Sequence, residues 1–168
     1  GLNQLGGKEL SYNNYNDIFA SLELLFSSGN KPSTVIIKHA NPCGASTHKF
    51  ALSSFQNAFN CDPISAFGGV IACNFKINEV IANEINKKFL EVILAKGFEK
   101  KALNILKKKK NLRIIDISKY KQKNKTILKT FDNYFLMQDK DGIVFDKKKL
   151  KFVTNNKPTK KEMKEIEF

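Results

Sequence analysis

The chain has no tryptophan, and of its 29 lysine and arginine residues only Arg113 is an arginine. Base readout and bidentate grip on phosphate favour the arginine fork, so a formal net charge of +13 carried almost wholly by lysine does not point to nucleic acid. With abundant Asn, Ile and Phe, it reads as compositional drift. Cysteine is scarce and odd in number: Cys43, Cys61 and Cys73 show no CxxC spacing, which excludes a disulfide framework and suits reduced thiols in the cytoplasm. No stretch approaches the ~18 apolar residues of a membrane span. Residues 1–10 lack the apolar centre of a signal peptide. Internal repeats are also missing, and residues 139–142, although acidic, lack the later ligands of a calcium loop.

What is present concentrates between Val35 and Ala72, which reads VIIKHANPCGASTHKFALSSFQNAFNCDPISAFGGVIA. The β-branched run Val35-Ile36-Ile37 leads into Lys38 and His39, then into Asn41-Pro42-Cys43-Gly44. Proline has no backbone donor and glycine invites a turn, so a buried strand is expected to break here. Adjacent residues of a regular strand face opposite ways, and Lys38 and His39 can serve one site only if the backbone leaves β geometry. Asp62-Pro63-Ile64-Ser65-Ala66-Phe67-Gly68-Gly69 repeats the design ahead of Val70-Ile71-Ala72. Two such loops on neighbouring strands make a crevice at the strand ends, where open α/β sheets hold ligands.

The rest of the chain alternates strand and helix patterns. Residues 1–15 read as a polar lead-in, followed by a helix capped by Asn16 or Asp17 with Ile18, Leu22, Leu25 and Phe26 on one stripe. A strand over 34–38 precedes the first loop. Ser46 or Thr47 can cap a helix burying Ala51, Phe55, Ala58 and Phe59, and a strand over 69–73 follows the second loop. Asn78 caps a helix with Val80, Ile81 and Ile85 inward. Residues 89–95 read as a buried strand interrupted by Glu91, a carboxylate that is unfavourable there unless paired or functional. A helix over 99–109, with Ala102, Leu103 and Leu106 inward, closes on a solvated lysine run at 107–110, and 112–117 is a strand. The alternation predicts a largely parallel sheet covered on both faces. Beyond it, 127–131 and 134–138 form a hairpin about Asp132-Asn133, 139–142 a polar turn, 147–156 a basic link, and Thr159 to Glu162 a capping box.

Lys38-His39-Ala40-Asn41-Pro42-Cys43-Gly44 followed by Asp62 to Gly69 resembles the formyltransferase domain of the bifunctional purine biosynthesis enzyme, AICAR transformylase joined to IMP cyclohydrolase. Residues 4–14, 89–95, 102–103 and 107–113 follow the same family pattern in the same order. The resemblance implies an α/β fold: a three-layer α/β/α, cytidine-deaminase-like subdomain with a mixed sheet, then a short hairpin region. It implies that 1–168 is the N-terminal part of that domain, with a core over about 16–138 and a link and the start of the next helix over 139–168. The cyclohydrolase domain and the second formyltransferase half are then expected to be absent.

It further implies formyl transfer from 10-formyltetrahydrofolate to aminoimidazole carboxamide ribotide. His39 would be the proton acceptor, and Lys38 the stabiliser of developing charge. Gly68, Glu91, Asn41 and Phe67 would contact substrate, with Asn41 mainly shaping the turn. A homodimer is expected, with no metal, nucleic acid or membrane partner. The alternative is a non-catalytic folded fragment that dimerises or binds ligand only in part. A zinc site on His39 and Cys43 with Cys61 or Cys73 is disfavoured, since the cysteine pair and adjacent glutamate of zinc deaminases are missing.

Overall fold

The computed structural model describes residues 1–122, 126–140 and 146–166; positions 141 and 142 of the expected polar turn lie outside them. The chain forms two compact units, Gly1–Lys121 and Gln122–Phe168.

The first unit is built on one six-stranded sheet. Its elements are β1 (Asn3–Gly6), α1 (Tyr12–Ser27), β2 (Ser33–Lys38), β3 (Asn41–Thr47), α2 (Ala51–Cys61), β4 (Val70–Cys73), α3 (Glu79–Asn86), β5 (Val92–Ala95), α4 (Lys100–Lys107) and β6 (Arg113–Asp116). The strand order is β1-β6-β5-β4-β2-β3. Only β4-β5 and β5-β6 are parallel, whereas β1-β6, β2-β4 and β2-β3 are antiparallel. The sheet is therefore mixed rather than largely parallel, because β2 and β3 form a hairpin instead of a crossover unit.

Side-chain alternation along these strands sorts the core into two layers. Ile36, Ile71, Ile93 and Ile114 face α2, α3 and α4, where they meet Phe55, Phe59, Ile81, Ile85 and Leu106. Val35, Val70, Val92, Leu94 and Ile115 face α1, with Ile18, Leu22 and Leu25. A sheet apolar on both faces must be covered twice, and the result is the expected three-layer α/β/α arrangement.

Several local expectations change. The lead-in supplies β1, which pairs with β6 and brings residues 3–6 into the sheet, so the compact unit begins well before residue 16. The helix α1 starts earlier than expected because Ser11, not Asn16 or Asp17, caps it: the Ser11 hydroxyl accepts from Asn14 N at 3.2 Å, and Asn14 Oδ1 accepts from Ser11 N at 3.2 Å. Asn41 to Gly44 is not a loop but the start of β3. Pro42 is tolerated because β3 is an edge strand. Phe50, not Ser46 or Thr47, occupies the N-cap of α2, without a side-chain bond. Asn78 caps α3 as expected, but Val80 is exposed and only Ile81 and Ile85 of the expected trio face inward. The strand at 89–95 shortens to β5, leaving Glu91 just before it rather than within it. In the lysine run, Lys109 is half-buried and its ammonium donates to Lys88 O, with its pKa lowered by desolvation.

The second unit holds β7 (Thr126–Phe131) and β8 (Tyr134–Asp139), an antiparallel pair whose turn places Asp132 at φ 48°. This hairpin forms its own sheet outside the first unit, so the compact boundary falls at 121 rather than 138. After a 3-10 turn at Lys147–Lys149 comes α5 (Lys160–Ile166). Its expected capping box is formed, with Glu162 N donating to Thr159 Oγ1 at 3.3 Å; Thr159 N at 2.7 Å and the Thr159 hydroxyl at 2.8 Å both donate to Glu162 Oε2 and hold that carboxyl below its usual pKa.

At Gly44 the backbones of β3 and α2 approach closely. A Cβ added to Gly44 would lie 2.0 Å from Ala58 O, whereas one on Gly6 would meet only side-chain carbons at 3.5 Å or more. Gly44→Ala is expected to lower stability by roughly 1–3 kcal/mol, the usual range for overpacking, with Gly6→Ala close to neutral. Urea unfolding of both variants measures the difference.

Candidate active site

The residues singled out from sequence fall along one edge of the sheet. Register places Arg113 beside Val92, Val92 beside Val70, Val70 beside Ile37, and Lys38 beside Asn41. Arg113, Glu91, Gly68-Gly69 and Lys38 thus lie at one end of four adjacent strands, a row spanning about 14 Å at the usual inter-strand spacing. This end is the carboxyl end of β2 but the amino end of β4, β5 and β6. The crevice rule for parallel sheets, which favours carboxyl ends, therefore misplaces it.

Lys38 ends β2, half-buried, and its ammonium donates to Phe67 O at 2.7 Å. This bond joins the first loop to the second. His39 and Ala40 connect β2 to β3 with φ of 55° and 59°. The backbone does leave β geometry between Lys38 and the following strand, but as a two-residue hairpin turn rather than at Pro42 and Gly44. Asn41 Nδ2 donates to His39 O at 3.0 Å, the turn-shaping contact expected of it, and Ala40 N donates to Asp17 Oδ1 on α1 at 2.7 Å. The His39 side chain is exposed and has no hydrogen-bond partner among the described residues.

The second loop is a compact turn. The Ser65 hydroxyl and the Ser65 N–H, the latter 2.9 Å from Asp62 Oδ1, hold the Asp62 carboxyl below the usual range, and Asp62 O accepts from Ala66 N at 2.9 Å. Gly68 takes φ 73° and its N–H donates to Phe89 O at 2.9 Å. The rings of Phe67 and Phe89 are 4.7 Å apart and both are exposed. A Cβ on Gly68 would stand 3.4 Å from the Phe89 ring, so the glycine keeps this aromatic shelf open.

Glu91 is held from both sides. Its N–H donates to Gly69 O at 3.2 Å, and its carbonyl accepts from Arg113 N at 3.0 Å. Its Oε2 accepts from Asn14 Nδ2 at 3.1 Å and lies 4.0 Å from an Arg113 guanidinium nitrogen. Arg113 Nε in turn donates to Glu9 O at 2.9 Å. The carboxylate remains half-exposed, and its hydrogen bond and ion pair among the described residues both fall on Oε2. Such a group can accept a hydrogen bond from an N–H donor, while the Lys38 ammonium, with one of three donors used, can meet an oxygen.

Hydrogen bonds join Lys38 to Phe67 and Gly69 to Glu91 along this end of the sheet, with Gly68 between them; His39 lies on the adjoining turn and Asn41 opens β3. Sequence reasoning missed Asn14, Asp17 and Arg113. Asn14 and Asp17 sit in or beside the stretch read as lead-in, although Ser11 three residues before Asn14 is a capping spacing. Arg113 stood out only as the lone arginine. Burial pushes the thiol pKa of Cys43 up and that of Cys73 to about 12. A raised thiol pKa suppresses the thiolate needed for attack or metal binding.

Comparison with known proteins agrees with the motifs. The AICARFT/IMPCHase bienzyme family matches residues 1–168. The chain belongs to this family. It is 43% identical over 165 residues to the bifunctional purine biosynthesis protein PurH of Thermoanaerobacter sp. (strain X514), covering 98% of this chain and 32% of the relative. It is 42% identical over 168 residues to PurH of Buchnera aphidicola subsp. Schizaphis graminum, covering 99% and 32%. This member of the bienzyme family thus spans about a third of the length of the curated relatives it matches. Among solved structures it is similar to Acinetobacter baumannii RibD (form 1), with TM-score 0.46 and 15% identity over 60% of this chain and 35% of that one. It is also similar to the apo dCMP deaminase of cyanophage S-TIM5, with TM-score 0.44 and 9% identity over 62% and 98%. The fold itself is established by strand order and layering.

Because Asn14 is buried and bridges the start of α1 to Glu91, Asn14→Ala removes half of a capping box and one hydrogen bond to a carboxylate. A stability loss of about 1–2 kcal/mol is expected in urea unfolding. An unchanged midpoint would show that the Glu91 contact contributes nothing.

Proposed function

We propose that this chain forms part of the site at which a bifunctional purine-biosynthesis enzyme transfers a formyl group from 10-formyltetrahydrofolate to the amine of aminoimidazole carboxamide ribotide, in the cytoplasm and as a homodimer. The observation that carries the proposal is the 2.7 Å bond from the Lys38 ammonium to Phe67 O, which ties the two family motifs together beside Gly68 and Glu91.

The amine is a weak nucleophile because its lone pair is delocalised into the ring. Attack forms a carbon–nitrogen bond to the formyl carbon, generates an oxyanion, and ends when the bond to the folate nitrogen breaks and a proton passes to the leaving tetrahydrofolate. His39 accepts the proton lost by the amine, since imidazole is the side chain best matched to that task near neutral pH. The donors of Lys38 not used by Phe67 stabilise the oxyanion. Glu91 accepts from the carboxamide N–H through Oε1, and the backbone at Gly68 and the ring of Phe67 form the floor on which the flat base rests.

A second reading, a folded unit that binds ligand without turnover, is separated from the first by titrating the nucleotide against this chain and assaying turnover in the full-length protein that carries it. In that protein His39→Ala should lower kcat by ~100-fold or more with an unchanged circular dichroism spectrum, the exposed side chain having no structural partner. Near-normal turnover would remove His39 from the mechanism. Lys38→Met should reduce kcat far more than nucleotide affinity; equal losses would make Lys38 a plain binding residue.

A further inference from the structure

The β2–β3 turn has a composition that its geometry does not favour. A two-residue hairpin loop with both residues at positive φ is ordinarily Asn-Gly or a similar pair, because only such residues enter the left-handed region readily. Here the pair is His39-Ala40, at 55° and 59°. Alanine in that region is disfavoured roughly 5- to 30-fold, and histidine less so. Neither residue relieves this by itself: alanine offers no side-chain hydrogen bond, and the His39 imidazole makes none among the described residues. Loop residues of such a hairpin also lie outside the ladder, whose last pair is Lys38 with Asn41, so the Ala40 N–H has no strand partner.

Side chains from outside the two-residue loop engage it. Asp17, half-buried on the first turns of α1, accepts the Ala40 N–H at 2.7 Å, and Asn41 Nδ2 takes the His39 carbonyl at 3.0 Å. A hydrogen bond to a charged acceptor is worth more than a neutral one, and here it spans 23 residues of sequence to reach the turn. Strained backbone persists where surrounding structure over-determines it, and such positions cluster at functional sites.

We propose that Asp17 is a positioning residue: its carboxylate, acting through the Ala40 amide, holds the His39-Ala40 turn in its left-handed form and thereby fixes where the imidazole stands relative to Lys38. The catalytic meaning of this role rests on the formyl-transfer proposal above; its structural content does not.

The chain holds two histidines, which makes the test direct. His48 accepts from Phe50 N through Nδ1 at 3.1 Å, away from the turn, and serves as an internal reference for the imidazole NMR signals. In Asp17→Ala, exchange of the Ala40 amide should accelerate about ten-fold, the order expected for one hydrogen bond to a charged group, and the His39 signal should move while His48 stays. Asp17→Asn keeps an acceptor and should retain most of the protection. Ala40→Gly added to Asp17→Ala should return His39 to its original position, because glycine adopts this φ without strain. Unchanged Ala40 exchange and His39 shift in Asp17→Ala would overturn the proposal. If Asp17→Ala disturbs His48 as well, the double variant decides: recovery supports the turn role, and no recovery overturns it. In the full-length protein Asp17→Ala should lower kcat more than it raises KM, with partial rescue by Ala40→Gly. If His39→Ala leaves turnover intact, the formyl-transfer proposal falls while Ala40 exchange still decides the role of Asp17.

Discussion

The antiparallel junction between β2 and β4 is the constraint on which the site depends. β2 ends at Lys38 where β4 begins at Val70, so the end of one motif meets the start of the other. Had β2 run parallel to β4, Lys38 and Gly68 would sit at opposite ends of a four-residue strand, on the order of 10 Å apart or more. Chain direction is set by the β2–β3 hairpin. β3 carries the chain away from the site, and α2, pressed against Gly44, returns it to the loop at Asp62. A hairpin followed by a helix produces the reversal that a simple strand-helix-strand unit could not.

That hairpin has little freedom. Its loop is only His39-Ala40, both in a left-handed region that alanine in particular disfavours, and the α1 helix reaches across to hold that alanine. The same helix holds Glu91 through Asn14, one turn earlier. α1 therefore does more than cover the sheet with Ile18, Leu22 and Leu25: its first turns tie together two parts of the edge that belong to different strands. Changing its register by one residue would misplace Asn14 and Asp17 together.

Much of this was legible in the sequence, and what was not has identifiable physical causes. Helices announced themselves through apolar spacing, as with Phe55, Ala58 and Phe59, and three buried strands through unbroken apolar runs. The α/β/α layering followed from those two patterns. Strand direction did not, because Asn41-Pro42-Cys43-Gly44 carries turn residues and yet lies on a sheet edge, where a missing donor faces no partner. β1 was hidden for a related reason: its four residues, Asn3 to Gly6, are too few for periodicity to show, and the pairing with β6 is a long-range contact. The two motifs that the structure brings together were readable as candidates, while Asn14, Asp17 and Arg113 act on backbone or carboxylate groups far away in sequence.

The position of the site at the amino ends of β4, β5 and β6 has a consequence for its rigidity. Gly68 N to Phe89 O, Glu91 N to Gly69 O and Arg113 N to Glu91 O continue the sheet ladder past the last paired residues, out to the edge itself. Glu91 has both backbone groups engaged in this extension, which leaves its side chain as its only free element. A carboxylate mounted on a bonded ladder, with one oxygen anchored by Asn14, has fewer ways to turn aside than one on a loop, and preorganised polar groups of this kind favour a developing charge distribution over a ground state. His39 stands on the opposite footing, on a two-residue turn whose conformation is imposed by neighbours. The edge thus combines a stiff ladder with a turn held in place by two hydrogen bonds, and the second is where loss of a single acceptor would be felt first.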